Sequence, residues 1–105
     1  MSRGLPQLES LYDLGAELGR GGMCVVYEAT HLNLGRVDAI KMPLPEFRGD
    51  RELLDRFVQE AVIAAQLRHP GIIVIHEICE TAEETPCIAM ERLAGDYLAA
   101  TPVIG

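Results

Sequence analysis

Gly19-Arg20-Gly21-Gly22-Met23-Cys24 is the segment of this 105-residue sequence best suited to chemistry. Glycines remove Cβ atoms, so backbone N–H groups can approach phosphate oxygens, and they permit positive φ. Many hairpin turns carry glycines for conformation alone, so the cluster by itself reads as a phosphate cradle or as a turn. Lys41 supplies a cation downstream of it. On its own a strand lysine is usually solvated. Glu60 supplies a carboxylate inside a helical stretch; it reads equally as a surface partner of Arg56, worth ~0.3–0.5 kcal/mol.

Context narrows the loop. A Walker A loop needs G-x-x-x-x-G-K-[ST], whereas Met23-Cys24-Val25-Val26 follows the glycines here. A dinucleotide fingerprint needs a helix directly after the loop and an acidic residue ~20 positions on. Asp38 stands near that distance, but Val25 to Thr30 is strand-like and no crossover helix intervenes. What remains is a loop between two antiparallel strands, covering a nucleotide from above.

The elements that position these residues follow from pattern. Residues 1–11 form a leader without clear periodicity. Tyr12 to Leu18 reads as a strand running into the glycines, and Val25 to Thr30, rich in β-branched and aromatic residues, as a second. Arg36 to Met42 reads as a third, with Ala39 and Lys41 on one face and Asp38 and Ile40 on the other. Pro43 and Pro45 stop the sheet pattern. Asp50 is a helix N-cap, and Leu54, Phe57, Ala61, Ala64, Ala65 and Leu67 follow helical spacing from Arg51 to Arg68. Pro70-Gly71 ends that helix. Ile72 to Cys79 and Cys87 to Met90 read as strands four and five, flanking an acidic turn. Tyr97 to Ala100 could begin a helix. The order predicts an α+β fold: a five-stranded antiparallel sheet with one long helix.

Composition bounds the function. Nine Lys+Arg stand against 16 Asp+Glu, a net charge of −7. Such a chain is poorly suited to neutralising a nucleic-acid backbone, and no nucleic-acid partner is expected. Absence of Trp and a 5% aromatic content argue against base-stacking platforms. The longest apolar run, Ala61 to Ala65, falls far short of the ~20 residues of a membrane span. The N-terminus lacks the apolar stretch of a secretory signal, so a cytoplasmic location is expected. Cys24, Cys79 and Cys87 form no C-x-x-C pair, and with His31, His69 and His76 they complete no metal-ligand spacing. Cys79 and Cys87 could face each other across a hairpin; two reduced, half-buried thiols are expected.

In order and spacing the motifs resemble the N-terminal lobe of eukaryotic-type protein kinases, most closely the bacterial serine/threonine kinases. The matching string is Leu18-Gly19-Arg20-Gly21-Gly22-Met23, then Val26, Ala39-Ile40-Lys41, Arg56-Phe57, Glu60-Ala61, Leu67-Arg68-His69-Pro70 and Met90-Glu91-Arg92-Leu93. The resemblance covers residues 12–98, between the leader and a tail at 99–105. It implies ATP as ligand, with the glycine loop (Gly19, Gly21, Gly22, Met23, Cys24) over the phosphates and Lys41 meeting them. It makes Glu60 the helix partner that holds Lys41. Leu18, Val26 and Ala39 would roof the adenine, Met90 would stand at the back of the pocket, and the backbone of Glu91 and Leu93 would hydrogen-bond the adenine edge. The plain alternative for Leu18, Val26 and Met90 is core packing, and an adenine pocket is itself lined by core residues.

Two positions depart from the family pattern. Cys24 replaces the third glycine, which is expected to make the loop less free at that point. Asp38 replaces an apolar residue before Ala39; an unpaired carboxylate there would cost stability or raise its own pKa. The sequence contains no His-Arg-Asp and no Asp-Phe-Gly, the motifs that position the substrate hydroxyl and hold magnesium in the family. Magnesium would accompany ATP, with its protein ligands absent from this chain. The expectation is therefore an ATP-binding lobe that does not transfer phosphate by itself. A non-catalytic, pseudokinase-like interaction module is the alternative, its partner a kinase C-lobe in trans or a second copy. An unrelated α+β protein with a chance glycine turn is the third reading.

Overall fold

The computed structural model describes residues 3–67 and 73–93. Five strands form one antiparallel sheet: β1 (Tyr12–Arg20), β2 (Cys24–His31), β3 (Val37–Pro43), β4 (Ile75–Glu80) and β5 (Pro86–Glu91). Their spatial order is β1-β2-β3-β5-β4, so β3 lies at the centre and β1 and β4 are the edges. One long helix, α2 (Arg51–Gln66), follows β3, and a one-turn helix, α1 (Leu8–Leu11), precedes β1. No helix among the described residues is long and apolar enough to cross a membrane.

The pleat sends alternate side chains to two separate cores. On one face Val25, Ala29, Ile40, Met42, Cys79, Cys87 and Ala89 cluster with Leu8 and Tyr12. On the other, Cys24, Val26, Ala39, Ile88 and Met90 cluster with Phe57 and Ala61 of α2. The expected division of β3 holds, since Ala39 and Ile40 fall in different clusters. Helix α2 starts where expected: Asp50 Oδ1 accepts from the Leu53 N–H at 3.1 Å. Its buried stripe is Leu54, Phe57, Ala61 and Ala64. Ala65 and Leu67, expected in that stripe, are exposed, and Leu67 already has extended backbone angles. The sheet covers a single stripe of the helix, so a residue beside it stays in solvent.

Several expectations are corrected. From Arg3 on, the leader packs on the sheet, a contact its lack of periodicity did not show: Leu8 is buried, Gln7 bridges Glu80 in parallel, and the Glu80 N–H donates to Pro6 O at 2.9 Å. Glu9 accepts from the Ala82 N–H, and Arg3 pairs with Asp55 at 2.7 Å. A single turn shows no periodicity; only tertiary burial defines it. Pro43 does not stop the sheet before itself; it is the last residue of β3, opposite Cys24. Strand β4 begins at Ile75, three residues later than expected, and Ile72 lies outside the described residues. Arg68, Pro70, Gly71 and the Tyr97 to Ala100 segment also lie outside them.

Asp38 is fully buried but not unpaired. It accepts a hydrogen bond of 2.6 Å from the Tyr12 hydroxyl and one of 3.0 Å from Arg36 Nε, and His76 Nδ1 lies 3.2 Å away. Residues from β1, β4 and the β2–β3 turn supply these groups, none visible from the local pattern around Asp38. Cys79 and Cys87 do face each other, but fully buried rather than half-buried.

Burial, then the Asp38 acceptor, pushes the Tyr12 phenol up to about 12 from 10.0. The folded state thus favours the neutral phenol. Its contribution is complete below pH 10 and lost as pH rises through 12. The wild type should become easier to unfold in urea over that window, and Tyr12→Phe should remove part of that decline. Asp38→Ala strands the buried hydroxyl and should cost about 1–3 kcal/mol at neutral pH, read from the same unfolding curves.

Candidate nucleotide-binding site

The glycine segment is split between strand and loop. Gly19 and Arg20 pair with Val26 and Val25, so only Gly21-Gly22-Met23 lies between β1 and β2. The Gly21 N–H donates to Cys24 O, and the Leu44 N–H donates to Met23 O, both at 2.8 Å. The second bond ties the loop to the chain just beyond β3. A Cβ on Gly22 would meet nothing within 4 Å, so the loop tip is open. Arg20, at the end of β1, pairs with Glu17 at 2.8 Å.

Cys24 sits in the loop's last glycine position, and it is the first residue of β2, buried and paired with Pro43. Among the described residues the only non-glycine at positive φ is Glu84. The expected backbone penalty at Cys24 is therefore not met, because a strand residue has no need of left-handed angles. Burial pushes its thiol up, and the nearby Lys41 charge partly offsets this.

Lys41 stands opposite Val26 on β2 and Ile88 on β5, in the middle of the sheet. It is 1% exposed. Burial lowers its pKa, and Cys24 and Glu60 act in the opposite direction. Glu60 is half-buried on α2, one residue before the fully buried Ala61. The two side chains thus sense each other electrostatically. Among the described residues Lys41 makes no ion pair within 4.0 Å, so the pair is not closed here.

The residues expected around an adenine come together. Val26, Ala39 and Met90 are buried in the α2-side cluster, with Leu18 and Leu93 packed against it. Ala39 lies directly opposite Met90. Glu91 pairs with Asp38 in register, and its N–H donates to Val74 O at 3.0 Å. The Leu93 carbonyl accepts from Arg92. Met23 is half out in solvent at the loop tip. Ile88, absent from the expected site residues, stands on β5 directly opposite Lys41 and belongs to the same cluster as Met90. Its period-2 spacing from Met90 was the available signal.

An open glycine loop thus joins β1 to β2, and Lys41 lies buried in β3 beside β2, in line with Ala39 of the apolar cluster on the α2 side. A family model, the protein kinase domain, matches residues 12–102. The chain belongs to the protein kinase family. Bacterial serine/threonine kinases are among its relatives. A probable serine/threonine-protein kinase of Corynebacterium efficiens is 39% identical over 87 residues, covering 80% of this chain and 13% of that protein. The serine/threonine-protein kinase PknA of Mycobacterium tuberculosis is 37% identical over 95 residues, 87% of this chain and 22% of its own length. The crystal structure of a mutant form of the Mycobacterium tuberculosis PknI kinase domain superimposes with a TM-score of 0.66 at 32% identity. That match covers 80% of this chain and 34% of the other. This kinase chain therefore spans well under half of each, and its fold is that of the kinase N-lobe.

A buried ammonium without a close counter-charge costs the fold free energy. Lys41→Met should stabilise the chain by about 1 kcal/mol, because it removes that charge and keeps the volume. Urea unfolding curves of the two proteins check the sign.

Proposed function

We propose that this chain is the ATP-binding lobe of a serine/threonine protein kinase. The observation that carries the reading is Lys41: a buried cation, without an ion-pair partner at close range among the described residues, opposite Val26 on the strand that follows the glycine loop. An anion brought to that point would relieve the cost of burying the charge, and phosphate is the anion such a loop accommodates.

The roles follow from position. Gly19, Gly21, Gly22, Met23 and Cys24 form the strand ends and tip that cover the phosphates. Lys41 neutralises them, and Glu60 orients Lys41 by closing the remaining gap when the nucleotide is present. Leu18, Val26 and Ala39 pack on the adenine, with Met90 behind it, and the backbone of Glu91 and Leu93 reads its edge. The family uses ATP with magnesium. The described residues contain no group of three His, Cys, Asp or Glu able to hold a metal, and no step is assigned to this chain through magnesium. The 105 residues contain no His-Arg-Asp or Asp-Phe-Gly, so phosphoryl transfer would need groups beyond those present. A need for ATP supports a cytoplasmic location for this function.

A second reading has its own observation. Val62, Ile63 and Leu67 on and just after α2, together with Val74, are each at least 43% exposed. Exposed apolar residues of this kind suit a protein partner, such as a kinase C-lobe in trans or a second copy of the chain.

The 105-residue chain, titrated with Mg-ATP and followed by backbone NMR shifts, should show a Kd on the order of 1 mM or weaker. The shifts should centre on Gly21, Gly22 and Lys41, and Lys41→Ala should abolish them. No response well above that concentration, together with concentration-dependent sedimentation, would favour the interaction module instead.

A further inference from the structure

Cys79 and Cys87 take no part in the proposed nucleotide site. They lie directly opposite each other on the antiparallel pair β4 and β5. Residues so placed have Cα atoms about 4.5–5.5 Å apart, inside the range a disulfide requires. Their sulfurs are 3.2 Å apart, so bond formation needs an approach of about 1.2 Å. Both are fully buried free cysteines. The third, Cys24, belongs to the cluster on the other face of the sheet.

The leader covers this pair. Leu8 belongs to the same buried cluster, and Gln7 and Pro6 lie against Glu80, the neighbour of Cys79. The hydrogen bond with Cys79 and burial push the Cys87 thiol up. Thiolate is therefore scarce while the leader is docked, and exchange is slow even where its product is favoured.

We propose that Cys79 and Cys87 form an oxidative modification site, at which a small disulfide such as oxidised glutathione converts the two thiols into an intrachain cross-strand disulfide, with the leader controlling access. One cysteine thiolate attacks the glutathione disulfide, releasing one glutathione and leaving a mixed disulfide. The second cysteine attacks the protein sulfur of that bond and releases the second glutathione. The two cysteines lose two electrons and two protons in total, and the reagent is reduced to two glutathione molecules. The product staples the edge strand to β5, the strand that carries Met90 and Glu91.

The test is an equilibrium one, because burial slows the rate. The 105-residue chain is held in glutathione redox buffers, native or unfolded in urea, then acid-quenched and mapped by mass spectrometry. The native chain should lose two hydrogens within the peptides holding Cys79 and Cys87, with Cys24 still free. Its equilibrium constant for that disulfide should exceed the unfolded chain's by at least about tenfold. Leu8→Ala should speed the approach to equilibrium several-fold with the native constant retained. A native constant equal to or below the unfolded one would overturn the proposal. So would stable glutathione adducts or dimers through Cys24 as the main products. An unchanged rate in Leu8→Ala would overturn the role given to the leader.

Discussion

Strand β3 has neighbours on both edges and cover on both faces, and most of this structure depends on that position. A central strand cannot leave a side chain in water simply by lying at the margin. Two of its residues, Asp38 and Lys41, nevertheless carry charge, and both are buried. They point to opposite faces because three positions separate them in a period of two. The rest of the lobe is arranged around how each charge is met.

The two are met differently. Asp38 has a hydroxyl, a guanidinium and an imidazole within hydrogen-bond reach, gathered from β1, β4 and the β2–β3 turn. That cluster ties the edges of the sheet to its centre, and it leaves the carboxylate well supported. Lys41 has only the distant influence of Glu60 and Cys24. A fold optimised for stability alone would not leave an ammonium so placed. Asp38 is thus met by three close polar groups on one face, whereas Lys41, on the other, has no ion-pair partner within 4.0 Å among the described residues.

The face opposite α2 has a different cover. Helix α2 is long and amphipathic, whereas the leader is a single turn fixed by the burial of Leu8 and by bonds through Arg3, Pro6, Gln7 and Glu9. The cysteine pair sits on the leader's side of the sheet, in the cluster that holds Leu8.

Much of the lobe was legible from the chain itself. The glycine cluster, the Ala39-Ile40-Lys41 alternation and the Asp50-capped stripe of α2 are local patterns. Strand pleat and helix pitch convert them directly into faces, and so the five strands and the helix were foreseeable; the gathering of Leu18, Val26, Ala39 and Met90 was what the resemblance to kinase N-lobes implied. The partners of Asp38, the docking of the leader, the burial of Cys79 against Cys87 and the exposure of Ala65 and Leu67 were not. Each depends on groups far apart in sequence meeting across the sheet, or on how wide a stripe of the helix the sheet can cover. Local periodicity states which way a side chain points; only the assembled layers decide what it meets there, and for two buried charges that encounter sets both cost and use.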